Sequence, residues 1–384
     1  MHIGFDVSQT GAGKAGCGYF AHAMIQPMLA LAPQHRYSLF PSFGDFYFDA
    51  SMPVQSPYSG GDVHYGPRHP LREIAGLFWS GSDAEASLGK PDIVHANNFW
   101  CPTQLLSSRL IYTFYDMGFT VDPAWTTELN RVGCFEGVFR SAVAADWVVA
   151  ISGASRSHYL SVFPHFAQDR IRVIYPCSRF ADSANQGMRP KALQNIPAGG
   201  YWLSVGTIEP RKNQRRLAEA YARYLALGGS PMPLVLAGGN GWLMEDFQSH
   251  LRALGITAQV LVTGYVSDDE LVWLYRNCYA NLYPSLFEGF GLPVLEGMQF
   301  GAPTLASNST SIPEVAGDAA ILLAPEDTEG WTQAMLRLAA NRNERDQLSA
   351  ASLKQATRFD WKHSAAALLQ LYEEALAAPK RGRE

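Results

Sequence analysis

The chain has 384 residues, 47% of them hydrophobic, a length that suits two to three domains at roughly 150 residues each. Thirty basic against 35 acidic residues leave a formal charge of −5, which supplies no field to hold nucleic acid by counterion release and excludes it as a partner. Five cysteines at wide, irregular spacing exclude a disulfide framework or a cysteine-built zinc site and point to free thiols in a reducing cytosol. Neither a basic leader with an apolar core nor a run of 18 apolar residues occurs, so a cytoplasmic protein that does not span a membrane is expected.

Short apolar, β-branched runs alternate with helical patterns, the signature of parallel sheets covered by helices. Strands are expected over residues 3–7, 37–40, 93–96, 110–115, 147–151 and 171–175, with helices over 18–32, 127–145 and 152–163. The polar, breaker-rich stretch 181–200 reads as a linker. The alternation then restarts, with strands over 201–205, 234–237, 260–263, 280–283, 304–307 and 320–323 and helices over 214–227, 268–278, 292–300 and 329–341. The fold class is therefore α/β, two tandem Rossmann-like doubly wound domains over 1–185 and 198–360. The remainder, 361–384, is a helix with an apolar stripe at Ala365, Leu368, Leu369, Tyr372 and Leu376, expected to pack across a domain face, followed by a frayed basic tail. Ligands are expected at the carboxyl ends of the strands, in the cleft between the domains.

Glu288 and Glu296, with seven residues between them, stand in Pro284-Ser-Leu-Phe-Glu-Gly-Phe-Gly-Leu-Pro-Val-Leu-Glu-Gly-Met298. A strand there runs into a Gly-rich turn that opens a helix at about Leu292. The unpaired amides and partial positive charge of a helix start favour an anion, and carboxylates favour sugar hydroxyls, so the stretch suits a phosphorylated sugar. In Leu203-Ser-Val-Gly-Thr-Ile-Glu-Pro-Arg-Lys-Asn213 a strand and a Gly turn precede Arg211 and Lys212, a fork beside a point charge that suits a diphosphate leaving group. The plainer alternative is a solvated basic helix start.

Gly11-Ala-Gly-Lys-Ala-Gly16 matches the dinucleotide fingerprint, but His35 and Arg36 stand where the ribose-binding acid belongs. A phosphate-binding Walker loop fails, because Ser8 and Ala15 occupy positions that need glycine and a hydroxyl residue. What is left is either close backbone approach to a ligand or an ordinary turn. Tyr115 and Asp116 project at a strand's carboxyl end, as sugar contacts or, for Asp116, as a turn cap. His95 is a core histidine or a cleft-lining one. Ser267-Asp-Asp-Glu270 is a capping box rather than a metal cluster. No histidine pair at helical spacing suggests a metal, so none is expected to be required, and Arg211 and Lys212 would supply the cationic charge.

Taken together, Val205-Gly-Thr-Ile-Glu-Pro-Arg-Lys-Asn213, Gly239-Asn-Gly-Trp242, Thr263-Gly-Tyr-Val266, the stretch from Glu288 through Glu296 and Ser311-Ile-Pro-Glu-Val-Ala-Gly-Asp318 resemble the nucleotide-sugar domain of glycosyltransferase family 4. The resemblance implies the two-domain GT-B arrangement and metal-independent, retaining sugar transfer from a nucleotide diphosphate sugar, with no cofactor. It implies that Arg211 and Lys212 hold the donor diphosphate beside Gly206 and Thr207, that Glu296 binds ribose hydroxyls, and that Glu288 sits by the sugar. Backbone amides around Phe290, Gly291 and Leu292 would meet sugar and phosphate, Tyr265 and Val266 would line the base pocket, and Gly16 would face the diphosphate from the other domain. Many relatives carry histidine where this chain has Tyr115, so the usual sugar-contacting imidazole is missing, with Tyr115 in its place and Asp116 retained.

The strand end with Tyr115 and the following Asp122-Pro-Ala-Trp-Thr-Thr-Glu128 also look similar to bacterial enzymes that build mannose- or rhamnose-type surface polysaccharide, or O-antigen, from GDP-linked donors. That similarity implies a glycan acceptor on a lipid carrier and peripheral contact with the inner membrane, through residues 40–58 or the segment 68–79, the latter equally readable as a buried helix. Two rivals stand beside this reading: an NAD(P)-dependent oxidoreductase or epimerase built on Gly11 to Gly16, and a non-catalytic nucleotide-sugar-binding subunit.

Overall fold

The computed structural model describes residues 1–8, 10, 16–40, 62–65, 84–99, 101–180, 184–239, 241 and 246–381. The glycine-rich run 11–15, most of 40–58 and the whole of 68–79, expected above as ligand loop and membrane contacts, lie outside the described residues. The chain divides into two compact units, one of Met1–Met117, Leu129–Cys177 and Asp360–Glu384, the other of Gly118–Glu128 and Ser178–Phe359.

The first unit holds a seven-stranded parallel sheet of β1 (His2–Asp6), β2 (Arg36–Phe40), β3 (Asp62–Tyr65), β4 (Ile93–Ala96), β5 (Arg109–Phe114), β6 (Trp147–Ala150) and β7 (Ile171–Val173), in the order β3-β2-β1-β4-β5-β6-β7. The second holds six parallel strands, β8 (Trp202–Val205), β9 (Leu234–Ala237), β10 (Val260–Gly264), β11 (Ala280–Tyr283), β12 (Thr304–Ser307) and β13 (Ala320–Leu323), ordered β10-β9-β8-β11-β12-β13. Strands such as Leu234–Ala237 are buried along their whole length because helices cover both faces, which is why they read as unbroken apolar runs. Alternation still sorts the two faces. Trp202, Leu234 and Leu236 join one core with Leu217, Tyr221 and Trp331, while Leu203, Val205 and Val235 join the other with Leu271, Tyr275 and Phe300. The order of each sheet reverses between β1 and β4 and between β8 and β11, and at such switch points the loops part to leave a crevice for ligands.

Two expected elements change character. The stretch expected as a linker packs into the second unit from residue 184 onward: Leu193 is fully buried, and a Cβ on Gly187 would meet the backbone nitrogen of Trp273 at 2.4 Å. The basic tail is pinned rather than frayed as far as residue 381. Lys380 donates to the carbonyls of Leu105 and Ser108, Arg381 to those of Ala142 and Ala145, and the Arg381 amide to Asp146. The helix Trp361–Ala377 belongs to the first unit, burying Ala365, Leu368, Leu371, Tyr372 and Ala375. The helix Asp268–Asn277 starts with the expected capping box between Ser267 and Glu270. No helix among the described residues is long and apolar enough to cross a membrane.

Candidate functional site

The site assembles at the carboxyl ends of β8 and β11, the switch point of the second sheet. After Val205 the chain turns at Gly206, whose φ of +145° only glycine adopts without strain, and a 3-10 turn follows over Pro210–Lys212. Asn213 then takes the left-handed conformation at φ +60° and starts the helix Gln214–Ala226. Its side-chain amide donates to the carbonyls of Pro284 and Pro325, and the Arg211 carbonyl accepts from the Leu286 amide at 2.9 Å. These bonds tie the β8 turn to the bend after β11. That bend ends at Gly291, which needs glycine twice over: its φ is +105°, and a Cβ would stand 2.5 Å from Ile312 Cδ1. Leu292 then opens the helix Leu292–Gln299 with Pro293 in its first turn, where a missing N–H costs nothing.

The tie places two cations on one carboxylate. Lys212 Nζ donates to Glu288 Oε1 at 2.6 Å and to the Tyr283 hydroxyl at 2.9 Å. Arg211 donates to Glu288 Oε2 at 3.0 Å, to the Phe287 carbonyl at 2.8 Å and to Glu209 Oε1 at 2.9 Å. Tyr283 and Ser285 hydroxyls also donate to Glu288 Oε1, at 2.8 and 2.5 Å. Around them, Thr310 receives the Glu288 amide and Ser311 donates to the carbonyls of Glu288 and Phe290. Burial alone would push the Glu288 carboxyl up, but Lys212 and Arg211 outweigh it and hold it at about 2. Burial pulls the Lys212 ammonium down from its ordinary value, with Glu288 opposing. An ionised, 7% exposed carboxylate thus orients both cations. Its Oε1 is crowded with protein donors, and Oε2, with one bond from Arg211, is the oxygen with acceptor capacity for a sugar hydroxyl.

Glu296, further along the same helix, is buried and faces Arg179 at 3.0 Å, while the Tyr275 hydroxyl donates to its other oxygen at 3.2 Å. Burial raises it to about 6 against the pull of Arg179 and Tyr275. Thr207 and Tyr265 are exposed, Tyr265 at 79%, and Val266 is partly buried against the core cluster that holds Leu203 and Tyr275. Phe290 is buried with its ring 5.6 Å from that of Phe359. Gly206, Arg211, Lys212, Glu288, Phe290, Gly291 and Leu292 therefore share one end of the second sheet.

The remaining expected residues lie in the first unit. Gly16 is the exposed first residue of the helix Gly16–Leu31. Asp116 is half-buried just past β5, close enough for its charge to act on His158. Tyr115, expected as a sugar contact, directs its hydroxyl at the carbonyls of Asn97 and Cys17, at 3.0 and 3.3 Å, so the phenol braces the end of β4 against the start of the first helix. His95 is a core residue and lines nothing. It is fully buried between the Tyr372 and Thr113 hydroxyls, at 2.5 and 2.7 Å, and burial lowers it to about 3.

Sequence reasoning passed over Glu209, Tyr283, Ser285, Thr310, Ser311 and Arg179. A signal existed for the hydroxyl residues, since Ser309-Thr-Ser311 follows β12, the strand beside β11, at the same sheet end. The set provides fixed positive charge, a helix start and an accepting carboxylate within one bend, which suits binding a phosphorylated, hydroxylated ligand and stabilising a departing phosphate.

Residues 193–355 match the family model described as glycosyl transferases group 1. The chain is 32% identical to the O-antigen chain mannosyltransferase B of Escherichia coli, over 79% of this chain and 78% of that protein. It is 36% identical to the serotype-specific mannosyltransferase WbdA of Escherichia coli, over 95% of this chain but 47% of that protein, so it spans about half of that relative's length. Among solved structures it resembles the sucrose-phosphate synthase of Thermosynechococcus elongatus with a TM-score of 0.73 at 18% identity, over 99% of this chain and 100% of the other, a likeness of fold.

Proposed function

The chain belongs to the glycosyl transferases of group 1, and from that premise we propose that it moves a mannose, or a related deoxyhexose such as rhamnose, from a GDP-linked donor to a glycan in O-antigen or related surface-polysaccharide assembly. It is a glycosyltransferase, which sets aside the oxidoreductase and non-catalytic readings. The observation that carries the reading is the bonding of both Arg211 and Lys212 to Glu288 at the bend that opens the helix Leu292–Gln299. The two Escherichia coli mannosyltransferases support the choice of sugar.

In this reading Arg211 and Lys212 take the donor diphosphate beside Gly206 and Thr207, the amides around Phe290, Gly291 and Leu292 meet phosphate and sugar, and Glu296 accepts the ribose hydroxyls. Tyr265 and Val266 border the base, and Gly16 and Asp116 of the first unit face diphosphate and sugar. Cleavage of the anomeric C–O bond leaves an oxocarbenium-like sugar and places negative charge on the departing diphosphate. Cations already oriented by Glu288 favour that charged state without having to reorganise. The acceptor hydroxyl attacks on the face the diphosphate leaves, giving retention, and a phosphate oxygen takes its proton. No metal is required, and a chelator that abolished turnover, with magnesium or manganese restoring it, would refute that part. The acceptor is a glycan on a lipid carrier at the inner membrane face.

A thermal-shift screen with GDP-mannose, GDP-rhamnose, UDP-glucose and NADH, followed by transfer assays with whichever sugar nucleotide stabilises the chain, tests the proposal. Stabilisation and transfer by a GDP-linked sugar are expected. Stabilisation by UDP-glucose alone would overturn the donor assignment.

A further inference from the structure

Nothing in the donor-site reading gives Arg179 a task, yet it is the cation placed on Glu296. Its Nε lies 3.0 Å from Glu296 Oε1 and its NH1 3.5 Å from Asp268 Oδ1, while its guanidinium carbon sits 5.0 Å over the Phe180 ring. The side chain is 21% exposed and Glu296 is buried, so the pair meets where solvent screens little. On the opposite side, the Tyr275 hydroxyl donates to Oε2.

We propose that Arg179 is a positioning residue for donor binding, holding the buried Glu296 carboxylate ionised and oriented so that its remaining lone pairs accept the ribose hydroxyls of the donor. This deepens, and rests on, the reading of Glu296 as the ribose acceptor. A carboxylate accepts on both oxygens, whereas a protonated carboxyl gives up part of that capacity and presents an O–H instead. Among the described residues, Arg179 from the segment entering the second unit and Tyr275 and Asp268 from the helix Asp268–Asn277 face Glu296. Burial drives the carboxyl up to about 6, Arg179 is the strongest opposing influence, and Asp268 pushes it further up. Without Arg179 the Tyr275 hydroxyl is left to oppose burial and the Asp268 charge, and the carboxyl is driven further up.

The sign follows directly. Glu296 is an effective acceptor above its own pKa, so donor affinity falls as pH drops through about 6. Removing Arg179 moves that transition to higher pH, and removing the Asp268 charge moves it lower.

The full chain and its Arg179→Ala, Arg179→Lys, Asp268→Asn and Glu296→Gln variants, titrated calorimetrically with GDP and with UDP across neutral pH, test this, because the ribose is common to both probes. Arg179→Ala is expected to bind about tenfold more weakly at neutral pH and to recover in alkali, with Arg179→Lys between it and wild type. Glu296→Gln should be weak at every pH. Asp268→Asn, a change at an exposed carboxylate, should keep the fold and shift the transition to lower pH even if Arg179→Ala fails to fold. Unshifted profiles in the Arg179 and Asp268 variants, with Glu296→Gln still weakened, would overturn the role of Arg179. Wild-type affinity in Glu296→Gln would instead overturn the ribose reading beneath it.

Discussion

Lys212 Nζ and Glu288 Oε1 lie 2.6 Å apart, buried at the carboxyl end of β11, with the Tyr283 hydroxyl bonded to both. The contact makes Glu288 the counter-charge of the cationic pair. Glu288→Gln keeps the shape and deletes the charge, leaving the partly buried Arg211 and Lys212 without their common partner. The expected cost is about 3–5 kcal/mol in urea unfolding, with turnover lower by about a hundredfold. Because the folded carboxyl is depressed to about 2 from an ordinary 4.5, its stabilisation is complete above about 4.5 and is lost as pH falls toward 2. The stability gap between wild type and variant should therefore be flat at neutral pH and close only in acid.

His95 gives a second pH signature with a different origin. Burial lowers it to about 3 from 6.5, so the folded chain keeps it neutral while the unfolded chain protonates. Stability from this group is complete above about 6.5 and declines as pH falls toward about 3. His95→Gln, which cannot titrate, should be less stable at pH above 7 by about 1–2 kcal/mol through poorer bonds to Tyr372 and Thr113. Its stability should then vary less between those two pH limits, and an unchanged pH slope in chemical unfolding would count against the assignment.

The pinned tail predicts a local stability effect. Arg381 donates to the carbonyls of Ala142 and Ala145 at the end of the helix Glu128–Ala144, a favourable place for a cation, and lies 4.2 Å over the Phe166 ring. Truncation after Ala378, or Lys380→Ala with Arg381→Ala, should lower the melting temperature by a few degrees, about 1–3 kcal/mol. GDP affinity should stay at the wild-type level, since the donor cluster lies in the other unit.

The two sheets are legible in the sequence wherever a strand is covered on both faces. The runs at 234–237 and 320–323 are apolar throughout, those at 93–96, 280–283 and 304–307 carry one or two polar residues among apolar ones, and the structure has strands at all these positions. Where burial is slight, pattern reading finds nothing. The strand Asp62–Tyr65 is too short for its alternation to stand out, and the helix Arg342–Ala356 buries only Ser352 and Gln355 and so has no apolar stripe. The cluster was legible in part for the same kind of reason. Arg211, Lys212 and Glu288 sit in motifs with their own turn chemistry, and Glu209, Tyr283 and Ser285 stand close in sequence to the partners they bond, whereas Arg179 acquires meaning only when separate segments fold together. Arg179 is more than a hundred positions from Glu296 and no local pattern marks it. Tyr115 shows what pattern alone leaves open: a polar side chain at a strand's carboxyl end has neighbouring strand ends to bond as well as a ligand, and here its hydroxyl meets the carbonyls of Asn97 and Cys17.

The central claim is that Arg211 and Lys212, held by Glu288, grip the donor's diphosphate. Calorimetric affinities for GDP and for guanosine, in wild type, Arg211→Ala and Lys212→Ala, isolate that grip because the two ligands differ only in the diphosphate. Wild type should prefer GDP by about a hundredfold or more, and each variant, with its fold verified by circular dichroism, should lose most of that preference while binding guanosine as before. A folded variant that keeps the full wild-type preference for GDP would contradict the claim.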